Sequence, residues 1–171
     1  MNLDKLNQWL ILISNLGVLA GIIILAIEIN QNTTVARSSA RQAIAEMVSS
    51  RPMMAVENED VARLTVKFFS GEPLTELERL QAMSRWYSTM RDWENIHYQY
   101  QSRMLTDDEW RGFRLNLKSL FGLPILQEYW ANEHQFFSQR FQEEVAAILE
   151  ERGREGPDNS YDYLSGDSLD E

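Results

Sequence analysis

Trp9-Leu10-Ile11-Leu12-Ile13-Ser14-Asn15-Leu16-Gly17-Val18-Leu19-Ala20-Gly21-Ile22-Ile23-Ile24-Leu25-Ala26-Ile27-Glu28-Ile29 is the stretch whose reading decides the fold. A helix rises about 1.5 Å per residue, so ~20 residues cross a hydrocarbon core of about 30 Å, and this run is that long. Its isoleucines would suit a strand in water, but a lone strand in lipid leaves its backbone unsatisfied, which selects a helix. Trp9 stands at the first edge, where an indole meets the headgroup level. A cleaved signal peptide is the competing reading. It calls for an apolar core of ~7–15 residues followed by a small-x-small site. Here the run is longer and ends in Ala26-Ile27-Glu28-Ile29, so an uncleaved transmembrane anchor is expected.

The span is two-sided. Ser14, Gly17, Gly21 and Glu28 share one side of a helix, while leucine and isoleucine fill the rest. Gly17-x-x-x-Gly21 is the small-xxx-small pattern that lets two helix backbones approach closely. Glycine is frequent in membrane helices in any case, so the motif gains weight from Ser14 and Glu28 beside it. An ionisable group near the bilayer ordinarily faces protein or water. Glu28 has three readings: it reaches the interface, it bonds a neighbouring subunit, or it lines an aqueous path. Lys5 precedes the span, whereas Arg37 and Arg41 follow it before any acid other than Glu28. The positive-inside rule then places the C-terminal domain in the cytoplasm.

Beyond Ile29 the chain turns polar without a helix breaker. Ala36, Ala40, Ala43 and Ala45 favour helix, so the anchor is expected to continue as a stalk to about Ser49. Arg51-Pro52 is expected to end it, because the residue before proline disfavours the α region. Val61, Leu64 and Phe68 mark a helix over 57–69, stopped by Gly71. Thr75-Glu76-Leu77-Glu78 is a capping box opening a long helix to about Met104, along which Met83, Trp86, Met90, Trp93, His97, Tyr100 and Met104 repeat at spacings of three and four. Thr106-Asp107-Asp108-Glu109 repeats the box and starts a helix with Trp110, Phe113, Leu117 and Leu120 inward. Gly122 and Pro124 break it. A short helix over 125–132 leads to a last one over 138–151 with Phe141, Val145 and Ile148 inward.

The expected fold is therefore all-α: an N-terminal transmembrane helix, a stalk, a small helical bundle and a disordered acidic tail. The divisions fall at 1–8 (short flank), 9–29 (span), 30–50 (stalk), 51–152 (bundle) and 153–171 (tail). The formal net charge is -10, and from Gly153 onward the tail carries six acids against Arg154 alone. No basic stripe of the kind nucleic acid requires is present. The absence of cysteine excludes disulfides, thiolate metal sites and cysteine nucleophiles. The tail reads as a solubilising segment, with Tyr161-Asp162-Tyr163-Leu164 as an alternative docking motif for a protein partner.

No catalytic constellation emerges, and no cofactor is called for. Glu94-x-x-His97 is the building block of di-iron carboxylate sites. Such a site needs two of these motifs, and the other histidine, His134, has Ala131 at its i−3 position. A mononuclear metal site from Glu94, His97, Glu128 and His134 requires an assumed packing. Against it stands a hydrogen-bonded core histidine, the ordinary outcome for a regular position in an aromatic stripe, with Glu94 bonding an arginine or indole N–H. Trp86, Trp93, Trp110 and Trp130 frame either a pocket or, as is usual at helical spacing, core. There is no Gly-rich phosphate loop, nucleophile elbow or HExxH.

Leu16 to Gly21, continued as Glu28-Ile29-Asn30-Gln31-Asn32-Thr33, together with Trp93-Glu94-Asn95, Tyr98-Gln99-Tyr100 and Leu105…Trp110, resembles a widespread bacterial family of small single-span membrane proteins of uncharacterised function. In that family a glycine-containing span runs into an (E/Q)-I-x-Q-N-T motif, and a W-E-N…Q-Y helix follows. The resemblance covers about Leu16 to Phe141. It implies the anchor-plus-bundle architecture and weight on Gln31, Asn32 and Thr33, but no activity. It also implies an apolar or aromatic residue where His97 stands, a departure that counts against metal.

The leading functional expectation is a bacterial inner-membrane protein embedded in the lipid bilayer, homo-oligomeric through its span, acting as scaffold, sensor or regulator. An oligomeric pore lined by the Ser14/Gly17/Gly21/Glu28 face is the alternative, and a metal-dependent enzyme using Glu94 and His97 is third.

Overall fold

A computed structural model describes residues 3–155. Among them there is no strand. The elements are α1 (Leu3–Glu57), α2 (Glu59–Phe69), α3 (Glu76–Gln101), α4 (Asp107–Leu120), α5 (Pro124–Glu133), a single 3₁₀ turn (His134–Phe136) and α6 (Gln139–Glu155). The chain forms two compact units, divided between Ala40 and Arg41.

The first unit is the N-terminal part of α1. Its large apolar side chains are exposed throughout, and none of its most apolar stretch is buried. That stretch is long and apolar enough to cross a membrane. At its polar end, Thr33 and Thr34 donate their hydroxyls to the carbonyls of Ile29 and Asn30, at 2.8 and 2.9 Å. These back-bonds satisfy both hydroxyls within the helix itself.

The second unit begins at Arg41, inside what the sequence assigns to the stalk, and takes in the end of α1. Here one expectation is overturned. Pro52 does not end the helix but lies within it. Proline removes the bond to the Val48 carbonyl and disfavours helix at Arg51. Tertiary contacts offset that cost. The Arg51 guanidinium pairs with Asp92 and donates to the Ser88 carbonyl at 3.3 Å, while Arg85 donates to the Arg51 carbonyl at 3.4 Å. The break comes at Asn58, an N-cap in extended conformation whose side chain accepts from the backbone of Asp60 and Val61.

Both capping boxes form. Thr75 accepts from the Glu78 N–H while Glu78 accepts from the Thr75 N–H, and Thr106 and Glu109 do the same. Gly71 ends the α2 segment at φ +72, with the Glu72 N–H closing onto the Lys67 carbonyl at 3.2 Å. Arg103 takes the same left-handed conformation after α3 without being glycine.

The core gathers on α3, α4 and α6. Trp86, Met90, Trp93 and Ile96 of α3 are buried with Trp110 and Leu117 of α4. Phe141, Val145 and Ile148 of α6 are each 0% exposed, as the spacing predicts. Full burial of such side chains contributes about 1.5–3 kcal/mol apiece. Trp130 of α5 lies edge-on to Phe121 and Phe141, fastening the short helix to that core. Arg114 joins α4 to α6 by a fork onto Glu151 at 2.7 and 2.8 Å and an Nε bond to Glu144 at 2.6 Å. Of the expected tail, 153–155 form the last turn of α6; Tyr161 to Leu164 lie outside the described residues.

Candidate functional site

Ser14, Gly17, Gly21 and Glu28 are all exposed on α1. A Cβ built at Gly17 or Gly21 would meet nothing within 4 Å, so no contact within the chain requires glycine there. Gln31 and Asn32 are exposed as well, whereas the Thr33 hydroxyl is satisfied by its own helix.

Glu94 and His97 sit on α3 but turn to different partners. One Glu94 oxygen accepts from Arg91 at 2.7 Å and the other from the Ser138 N–H at 2.6 Å, which ties α3 to the start of α6. Burial pushes the Glu94 carboxyl up, but these bonds outweigh it and hold it below the usual carboxylate range. His97 is 3% exposed, packed between Trp110 and Phe141. Its Nε2 lies 3.3 Å from the Gln101 amide and 3.9 Å from Glu144. Burial lowers its pKa against the opposing pull of Glu144, which keeps the ring neutral at pH 7. Neutral Nε2 then accepts the amide N–H of Gln101. Among the described residues no three His, Cys, Asp or Glu side chains gather as a metal would require. His134 instead faces the carbonyl of Trp130 in its own segment, at 3.2 Å.

The bundle contains a cavity of about 400 Å³ that the sequence did not locate. Such a volume falls within the ~300–1,000 Å³ of small-molecule pockets. One wall is the last part of α1, with Met47, Val48, Pro52 and Ala55. Leu64, Phe68 and Phe69 of α2 form a second wall, and Trp86, Trp93 and Ile96 of α3 a third. The lining is mainly apolar, and its charged groups are Arg51, Arg85 and Asp92. Burial, reinforced by the Arg85 charge, lowers the pKa of Arg51. Its pairing with Asp92 leaves Arg85, which makes no ion pair among the described residues and donates only to the Arg51 carbonyl. Two cations therefore face one anion.

The Trp86 indole at this cavity lacks a hydrogen-bond partner. Trp86 is 7% exposed, and its Nε1–H is buried with no hydrogen bond among the described residues. An unmade buried hydrogen bond costs about 1–3 kcal/mol, so such groups call for an explanation. The Tyr129 hydroxyl is also buried and unbonded, and burial pushes its pKa up to about 12, but it lies outside the cavity lining. Sequence reasoning pointed to Trp86 and Trp93 as core-or-pocket aromatics, and they line this cavity. It missed Arg51, Arg85 and Asp92, because Arg51-Pro52 read as a helix end rather than a wall.

Comparison with protein-family models, curated proteins and solved structures finds no match for the chain.

Proposed function

We propose that this chain is a bacterial inner-membrane protein that is anchored by one helix, associates with copies of itself through that helix, and presents its bundle to the cytoplasm as a scaffold, sensor or regulator. The observation that carries the reading is the exposed apolar surface of α1 from Trp9 to Ile29. Water tolerates contiguous apolar patches of only a few hundred Å² on most soluble monomers, whereas lipid accepts a whole helix of this kind. Self-association draws on the open space at Gly17 and Gly21, with Ser14 and Glu28 on the same side. The placement of Arg37 and Arg41 supports the cytoplasmic orientation. The resemblance in the Glu28–Thr33 and Trp93–Tyr100 segments supports the same architecture.

Alkaline carbonate extraction tests the anchor, and in-membrane crosslinking of wild type against Gly17→Ile/Gly21→Ile tests the association. The expected result is protein retained in the membrane pellet and crosslinked oligomer lost in the double variant. Release by carbonate would remove the anchor, and an oligomer indifferent to both substitutions would remove the proposed face. A conductance in planar bilayers whose selectivity changes in Glu28→Gln would assign a pore in place of a scaffold.

A further inference from the structure

We infer that the cavity walled by α1, α2 and α3 is a binding site for a single-chain fatty carboxylate, with the acyl chain against the aromatic walls and the carboxylate at Arg85. This goes beyond the anchoring function and does not depend on it.

Three observations select that chemistry. First, the walls are built from Val48, Ala55, Leu64, Phe68 and Ile96, which offer an alkyl chain dispersion contacts and nothing to hydrogen-bond. Second, the polar groups are unbalanced. Arg51 is neutralised by Asp92, while Arg85 has no carboxylate partner among the described residues and retains a full positive charge at the cavity wall. A guanidinium in such a setting favours an anion with two oxygens, since its fork matches a carboxylate. A cationic or neutral head would leave that charge unanswered. Third, the buried Trp86 Nε1–H lacks an acceptor within the chain, and Trp86 adjoins Arg85 on the same helix and lines the same cavity. Indole is donor-only, so it too selects an acceptor.

Size selects the tail. The cavity holds about 400 Å³, roughly a dozen waters at about 30 Å³ each. That accommodates one short acyl chain. Thr65 and Thr89, the lining hydroxyls, do not compete for the head, because they donate to the carbonyls of Val61 and Arg85 at 2.6 and 2.9 Å.

The test uses the full chain in lipid nanodiscs and a diazirine-bearing dodecanoate as photoprobe, with labelled residues mapped by peptide mass spectrometry. The expected label falls on 47–55, Phe68 or 86–96. Dodecanoate should compete it away, and dodecyltrimethylammonium should not. Arg85→Gln should weaken competition by dodecanoate about tenfold or more, the loss expected for a charge-assisted hydrogen bond. Arg85→Lys, which keeps the charge but not the fork, should restore part of it. Ala55→Phe, which keeps every charge and fills the cavity, should abolish the label. Labelling confined to Trp9–Ile29 would overturn the assignment as simple partitioning into the bilayer. So would cavity labelling indifferent to both Arg85→Gln and Ala55→Phe, or equal competition by the cationic and anionic amphiphiles.

Discussion

His97 shows how a residue type that suggests chemistry can serve packing. Its ring is wedged between Trp110 and Phe141, and burial holds its pKa below the ordinary 6.5. The consequence for stability has a definite sign. Above pH 6.5 the imidazole is neutral in both folded and unfolded chains. As pH falls through 6.5, the unfolded chain takes up its proton first, so stability is present above that value and is lost toward the lower folded pKa. The urea midpoint of the bundle should therefore drop between pH 7 and pH 5, and His97→Phe should flatten that drop. An unchanged slope in the variant would mean that other groups titrate there. Glu94 belongs to a lower window. Its depressed pKa makes its stabilising bonds to Arg91 and Ser138 persist until the pH falls below the ordinary carboxylate value.

At the scale of elements, what was legible in the sequence was local. Thr75/Glu78 and Thr106/Glu109 form their boxes because a capping box is complete within four residues and needs nothing from the rest of the fold. The α6 stripe of Phe141, Val145 and Ile148 is legible for the same reason. A fully buried face at helical spacing leaves no other period to read. The course of α1 was not legible. Whether a helix crosses Pro52 depends on Asp92, Ser88 and Arg85, three residues of α3 far along the chain. The cavity was lost with it, since one of its walls is the segment that proline was expected to end. The tie between α4 and α6 is likewise tertiary. Arg114 forks onto Glu151 and reaches Glu144, and these bonds raise its pKa. Lysine keeps the charge but not the planar fork. Arg114→Lys should cost about 1 kcal/mol, modest because the groups are partly solvated. Thermal unfolding of the bundle measures it, and an unshifted Tm would mean the fork adds nothing beyond charge.

For the molecule as a whole, the division at Ala40/Arg41 assigns Ile44 and the Met47–Ala55 wall to the bundle. A chain beginning at Arg41 keeps both and should unfold cooperatively in urea. One beginning at Glu59 strips Ile44 from the core, a loss of about 1.5–3 kcal/mol for that side chain alone. It also leaves Asp92 without Arg51. Its midpoint should fall well below that of the chain beginning at Arg41. Equal midpoints would show that the end of α1 is dispensable to the core.

The five tryptophans are apportioned between the two units in a way that makes the molecule optically self-reporting. Trp9 alone lies in the apolar stretch, 63% exposed, while Trp86, Trp93, Trp110 and Trp130 are all buried in the bundle. With Trp9→Phe, every remaining indole emission comes from the bundle. Conversely, the emission lost on Trp9→Phe comes from one fluorophore at the expected lipid headgroup level, so the difference between the two chains reads its quenching depth with the bundle core intact.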